Sequence, residues 1–239
     1  MMPAATSLAP WPPAGVKPYY LDDSVCLILG DCREILPHVS ADVLVTDPPY
    51  GTGGRRRSVS GDGGDPTSSS VHREAWDDGR VDWLTGCPAL VAVFWPGSRA
   101  RVLLNRANDV GLTSHRLLSM RKRDPMPQPS GIAPFSSEPV WLLSDGAIPF
   151  RAAADSMEVS TPRLGRDATA TGHPYEKPLE ALLWLVGGLP GSMILDPFAG
   201  SGTTLRAAKD LGRKAIGIEI EERYAEIAAK RCAQEVLKL

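Results

Sequence analysis

The sequence predicts an α/β domain built on a doubly wound, mostly parallel sheet, and three observations carry that prediction. Short apolar runs recur without the alternation of a half-exposed strand. Helical stripes lie between several of them. Two of the runs deliver an aspartate directly into a turn rich in Pro or Gly, as strands do at the ligand-binding edge of such sheets.

The expected strands, in order, are Val25 to Leu29, Val43 to Thr46, Leu90 to Trp95, Pro139 to Leu143, Met193 to Leu195 and Lys214 to Ile218, all read as buried and parallel. Pro178 suits a first helical turn, and Leu179, Leu182, Leu183 and Val186 continue an apolar stripe from it. A second helix begins near Thr203, carries Leu205, Ala208 and Leu211 on one face, and stops at Gly212. A last helix places Tyr224, Ala228, Cys232 and Val236 at a spacing of four, with Glu221 and Glu222 at its favourable end. Residues 1–18, rich in Pro and Ala, read as a loose arm, and 19–239 as a single domain. Gly51 to Ser70 has no hydrophobic period, so a mobile loop is expected over 51–75; a small insertion is expected over about 123–171.

A length of 239 residues suits one such domain, and 43% hydrophobic with 23% charged residues excludes a wholly disordered chain. Cys26, Cys32, Cys87 and Cys232 show neither CxxC pairing nor zinc-ligand spacing, so no disulfide framework and no metal is expected, and a reducing cytoplasm fits. The amino terminus lacks the basic start and apolar stretch of a signal peptide. The longest apolar region, Pro178 to Phe198, is interrupted by Glu180, Pro190 and Asp196, which is wrong for a membrane span. The net charge of −2 gives no bulk support for a nucleic-acid partner, but it averages unlike regions. Arg99 to Arg123 holds seven basic residues against Asp109 alone, whereas Tyr19 to Tyr50 holds six acids against Arg33.

The chemistry concentrates in two segments. In Asp196-Pro197-Phe198-Ala199-Gly200-Ser201-Gly202-Thr203 a strand ends on an acid, and two glycines permit close backbone approach to a ligand. Leu205 stands where a dinucleotide fingerprint wants glycine, and Thr203 where a phosphate loop wants lysine, which weakens both phosphate readings. Glu219 ends the next strand, where an acid accepts hydrogen bonds from ribose hydroxyls, so the implied cofactor has an adenosine and no pyrophosphate; a plain exposed acid is the alternative. In Asp47-Pro48-Pro49-Tyr50 the prolines freeze a turn at a strand end, offering an acid, a carbonyl and a ring together. That set suits a planar amine, held by two acceptors while the ring stacks on its face; an ordinary turn has the same composition.

These two segments resemble the amino-methylating DNA methyltransferases that use S-adenosylmethionine, and specifically their β group, whose order is circularly permuted so that the catalytic motif precedes the cofactor motif. Leu29-Gly30-Asp31-Cys32-Arg33-Glu34 and His173-Pro174-Tyr175-Glu176-Lys177-Pro178-Leu179 match the same group. The resemblance covers most of Tyr19 to Leu239 and implies a Rossmann-like methyltransferase sheet. It implies that Asp31, Cys32, His173, Lys177, the segment Asp196 to Thr203, Glu219 and Ile220 contact S-adenosylmethionine, Asp31 at the adenine. His173 and Lys177 remain open between such contacts and plain surface positions.

The resemblance further implies double-stranded DNA as substrate, with the target base flipped out of the duplex. Tyr50 would stack on the base while Asp47 and the Pro48 carbonyl accept hydrogen bonds from its amine, and transfer would be direct and in line. Cys87 precedes Pro88 rather than following a proline, so it reads as structural and no covalent base intermediate is expected. Asp at position 47 favours adenine, with the cytosine amino group as alternative; an RNA methyltransferase or a silent DNA-binding decoy are the more distant ones. Arg55, Arg56 and Arg57 are expected to form a phosphate-contacting flap or a solvated run, and Arg121, Lys122 and Arg123 to meet DNA. Met120 stands where the group often has an aromatic. The short insertion implies a short recognition sequence, and the whole a cytoplasmic restriction–modification enzyme acting as monomer or homodimer.

Overall fold

The computed structural model describes residues 11–49, 81–123, 136–160 and 176–234. In chain order its strands and α-helices are β1 (Tyr20–Leu21), β2 (Val25–Leu29), α1 (Cys32–Ile35), β3 (Val43–Thr46), β4 (Leu90–Phe94), α2 (Ala100–Asp109), β5 (Ser114–Lys122), β6 (Ser137–Ser144), β7 (Ser156–Val159), α3 (Leu179–Gly188), β8 (Met193–Asp196), α4 (Thr203–Asp210), β9 (Lys214–Glu219) and α5 (Glu222–Ala233).

Among the described residues nine strands form one sheet in the order β1-β2-β9-β8-β3-β4-β6-β5-β7. The five strands from β2 to β4 in that order are mutually parallel. Because β3 leads outward to β4 while β8 leads the other way to β9, the direction of winding reverses between β3 and β8. Such a switch point leaves a crevice at the carboxyl ends of the strands.

Side chains alternate across the sheet and build a core on each face. Val25, Leu27, Val43, Val45, Ile194 and Ala215 face one side, where α3, α4 and α5 cover them through Leu182, Leu185, Leu205, Ala208, Ala225 and Ala228. Cys26, Ile28, Leu44, Leu195, Ile216 and Ile218 face the other, under Leu36, Trp83, Leu103 and Ala107. Burial on both faces is why these strands are continuous apolar runs. Gly217 sits where β9 meets α4: an added Cβ would lie 2.5 Å from Leu205 Cδ1.

Several expectations change. The strand at Pro139 to Leu143 is β6, and it is antiparallel to both β4 and β5. A strand's apolar period carries no information about its direction, which the partner fixes. β6, expected in part at Pro139 to Leu143, and β7 fall within 123–171, so that span contributes two strands to the sheet. In α3 the buried positions are Ala181, Leu182, Leu185, Val186 and Gly188, while Leu179 is exposed. In α5 they are Ala225, Ala228 and Cys232, at mixed spacing three and four. The arm is held from Trp11 onward: its indole donates to the Asp22 carbonyl at 3.0 Å and lies under the Lys214 ammonium. The helix α4 stops as expected, with Gly212 at φ +69° just beyond it.

Candidate active site

The parallel strands β2, β9, β8 and β3 each deliver an acid to the same edge of the sheet. Asp31 follows β2, Glu219 ends β9, Asp196 ends β8 and Asp47 follows β3. The last two flank the switch point, and Thr46 ties them together: its hydroxyl donates to Asp196 Oδ1 at 2.8 Å. Asp196 also accepts the Phe198 N–H at 3.1 Å and a hydrogen bond from Thr204. Burial nevertheless pushes its carboxyl up to about 6, against those hydrogen bonds.

The turn after β8 is short and tightly tied. Its Ala199 N–H reaches back to the Ile218 carbonyl at 2.9 Å, and Gly202 caps α4 at φ +80°, a conformation only glycine adopts freely. Glu219 binds this turn through Oε2, which accepts the Gly200 N–H at 2.7 Å, while Oε1 accepts the Glu221 N–H at 2.8 Å. Burial raises the Glu219 carboxyl to about 7. Phe198 meets the buried Trp83 edge-on, with ring centres 6.1 Å apart. Arg231 of α5 closes the turn from the far side: it donates to Thr203 Oγ1 at 2.5 Å and Ser201 Oγ at 3.3 Å, and pairs with Glu176.

Lys177 follows directly, on the neighbouring side of the cleft. Its ammonium lies 2.7 Å from Asp47 Oδ2 and 3.1 Å from Glu138 Oε2, over the Phe94 ring. Lys122 pairs with Glu138 from the other side. Burial pushes the Asp47 carboxyl above the ordinary carboxylate value, and Lys177 works against that. Burial also works against the Lys177 charge, yet Asp47 and Glu138 together hold the ammonium above its usual range. Glu138 is lowered: burial opposes its charge, but Lys177 and Lys122 outweigh it.

The antiparallel direction of β6 is what brings Glu138 here. Phe94 of β4 pairs with Val140, and the Trp95 N–H donates to the Pro139 carbonyl, so the amino end of β6 lies beside the carboxyl end of β4. By the same logic β5 presents its carboxyl end, with Lys122. Glu138 belongs to no motif, because an acid at a strand's amino end is a signal only once strand direction is known; Lys122 is marked in the sequence as part of a basic run expected to meet DNA, not as a partner of an acid. Arg231 and Thr46 were not singled out in the sequence.

The remaining sequence-derived positions divide. Pro48, Pro197, Ala199, Ser201 and Thr203 are buried in the two turns, and Pro49 and Ile220 lie at its surface. Asp31 caps α1 and accepts from Arg33 N–H at 2.9 Å and Arg33 Nε at 3.0 Å. Cys32 is buried in the core, its thiol pushed up to about 12 by that burial. Cys87 donates its thiol to the Trp83 carbonyl at 2.8 Å. Arg121 is exposed, Arg123 pairs with Glu158, and Lys122 turns into the cleft rather than outward. Tyr50, Arg55, Arg56, Arg57 and His173 lie outside the described residues.

The acids and glycines fit an adenosine-bearing group without pyrophosphate. Acceptors stand at three neighbouring strand ends, the turn is made compact by Gly200 and Gly202 at positive φ, and Arg231 beside it is occupied by Glu176, Ser201 and Thr203. No group of three metal-ligating side chains occurs among the described residues, and no helix there is long and apolar enough to cross a membrane.

Comparison with known proteins gives the same architecture. The structure is similar to that of the PvuII DNA methyltransferase (cytosine-N4-specific), with a TM-score of 0.67 at 18% identity, covering 94% of this chain and 92% of that one. It is similar to the M1.HpyAVI–SAM complex, with a TM-score of 0.64 at 20% identity over 88% of this chain and all of the other. The sequence is 29% identical over 248 residues to the Type II methyltransferase M2.LlaDCHI of Lactococcus lactis subsp. cremoris, covering 90% of this chain and 91% of that one. The model of the N6/N4 methyltransferases, described as DNA methylase, matches residues 108–230, just over half of the chain. With the Asp47 motif preceding the Gly200–Gly202 turn along this shared fold, the chain belongs to the N6/N4 DNA methylase family, in its β-group order.

Proposed function

We propose that this protein is a site-specific methyltransferase that moves a methyl group from S-adenosylmethionine to the exocyclic amine of adenine in double-stranded DNA. The observation that carries the reading is the pairing of strand ends at the switch point: Asp47 and Asp196 stand side by side, joined through Thr46. One acid faces the amine site and the other belongs to the cofactor turn. The M1.HpyAVI–SAM complex supports S-adenosylmethionine as cofactor, and the M2.LlaDCHI name supports a role in restriction–modification.

S-adenosylmethionine, when bound, supplies an electrophilic methyl group. Glu219, Asp31 and the backbone from Asp196 to Thr203 would hold it, with Ile220 beside them. Asp47 accepts a hydrogen bond from the target amine, drawing its lone pair out of conjugation with the ring, and the Pro48 carbonyl accepts the second. Tyr50 stacks on the flipped base. Arg121, with Arg55 to Arg57, contacts backbone phosphates. No residue forms a covalent bond to the base, and the site acts by positioning and by fixed dipoles.

The similarity to a cytosine-N4-specific enzyme makes the cytosine amine the second reading. Incubation with plasmid DNA and methyl-labelled S-adenosylmethionine, followed by digestion to nucleosides, separates them. N6-methyldeoxyadenosine is expected, N4-methyldeoxycytidine establishes the second reading, and label in RNA alone refutes both. Asp47→Ala is expected to retain cofactor binding and lose methyl transfer; undiminished transfer refutes the role of Asp47.

A further inference from the structure

The charges around Asp47 alternate in sign along a line that spans four strands, from β5 across β6 and β4 to β3: Lys122 at the end of β5, Glu138 at the start of β6, Lys177 before α3, and Asp47 after β3. Lys177 is mostly buried, with its side chain 14% exposed, and Glu138 is 30% exposed. An ammonium in that position stays charged only while it is paired. Lys177 has a carboxylate on each side and the Phe94 ring beneath it. Deleting the outer carboxylate leaves the whole of its charge to Asp47. Deleting the lysine leaves two acids facing each other across a partly dry cleft.

We propose that Glu138 is a positioning residue for Asp47: it holds one side of the Lys177 ammonium so that Lys177 is fixed on Asp47 Oδ2, and Lys122 in turn holds Glu138. The proposal rests on Asp47 being the acceptor of the target amine. In that role a carboxylate must be ionised and fixed in rotation, but not so strongly paired with a cation that its lone pairs are spent. Glu138 achieves the balance by sharing Lys177. A carboxylate 3.1 Å from the ammonium competes with one 2.7 Å away, so neither acid takes the full charge.

The signs follow from the order of charges. Among the described residues, Lys177, Glu138 and Asp196 face Asp47, and Lys122 acts through Glu138. Removing Lys177 removes a cation beside Asp47 and moves the acidic limb of the pH–rate profile to higher pH. Removing Glu138 gives Lys177 wholly to Asp47 and moves that limb to lower pH. Removing Lys122 frees Glu138 to draw Lys177 away, and the limb moves up again. A role in folding alone produces no such alternation.

The test measures kcat at saturating plasmid DNA and S-adenosylmethionine, from about pH 5 to about pH 9. It compares the wild type with Lys177→Met, Glu138→Gln and Lys122→Met, with Asp47→Ala as control. At the acidic end, relative to each plateau, Glu138→Gln is expected to retain at least about threefold more activity than Lys177→Met. Its plateau is expected about threefold to tenfold below wild type, with KM for S-adenosylmethionine changed less than about twofold. If Glu138→Gln does not fold, Lys122→Met, which itself lies one residue farther from Asp47, decides alone: an upward shift of its limb supports the positioning role, and an unmoved or lowered limb overturns it. If Asp47→Ala is inactive but the variants shift the limb in one direction or not at all, the positioning role is overturned and the functional reading stands. If Asp47→Ala still transfers methyl groups, that reading falls and the positioning role with it.

Discussion

Gly202→Ala probes how closely the cofactor turn is built against α5. Gly202 holds φ +80° as the residue capping α4, and that left-handed conformation costs an L-residue about 1–2 kcal/mol. An added Cβ also lies 2.8 Å from the Cβ and 3.0 Å from the Cα of Ala228. Ala228 is fully buried in α5, and a backbone atom has no rotamer by which to turn aside, so the helix itself must shift. Overpacking of this kind costs about 1–3 kcal/mol, for about 2–5 kcal/mol in all. Ala228→Gly relieves the Cβ contact alone, at a helix-propensity cost of about 1 kcal/mol. The double variant is therefore expected to be more stable than the sum of the singles by about 1 kcal/mol or more. Urea unfolding of the four proteins, followed by circular dichroism, yields the cycle. A single variant within about 0.5 kcal/mol of wild type, or strict additivity across the cycle, refutes the steric argument.

Two further outcomes follow from the same edge of the sheet. Glu219, held near pH 7 by burial against an ordinary value of 4.5, favours its protonated form in the folded state. Its contribution is therefore full below about pH 4.5 and is lost as pH rises through about 7, by an amount up to about 3 kcal/mol. Glu219→Gln is expected to flatten that fall in urea midpoints, and an unchanged slope counts against it. Arg231→Met removes the donor to Ser201 and Thr203 and the partner of Glu176. It is expected to cost about 2–4 kcal/mol and to weaken S-adenosylmethionine binding about tenfold, as read by thermal unfolding and calorimetry. Wild-type affinity in a correctly folded variant shows that Arg231 does not organise the turn.

The strands at the centre of the sheet were legible because burial on both faces leaves no polar alternation to confuse the reading. The same physics hid the others. β5 runs Ser-His-Arg-Leu-Leu-Ser-Met-Arg-Lys, with only Leu118 and Met120 buried, since it lies near the sheet's edge. α2 begins at Ala100 without any side-chain cap, so no Ser, Thr or Asp announced it. β6 was visible as a strand, but its reversal against β4 was not, and that reversal carries Glu138 to the site.

The site divides along a similar line. Asp47 and Asp196 each close an apolar run and open a Pro- or Gly-containing turn, and Glu219 closes the next apolar run just before a helix, so composition and position mark them together. Glu138 and Arg231 have no local mark, and Lys122 is marked only as part of a basic run, because what makes them part of the site is a neighbour distant in the chain. Seven basic residues between Arg99 and Arg123 suggest a strongly positive face for DNA, yet Lys122 is paired with Glu138, and Arg123 with Glu158. Lys122 pairs with Glu138 at the cleft, so its charge is already partly balanced by an acid. The cation density that DNA meets is therefore lower than the sequence count, and part of the count belongs to the electrostatics of Asp47.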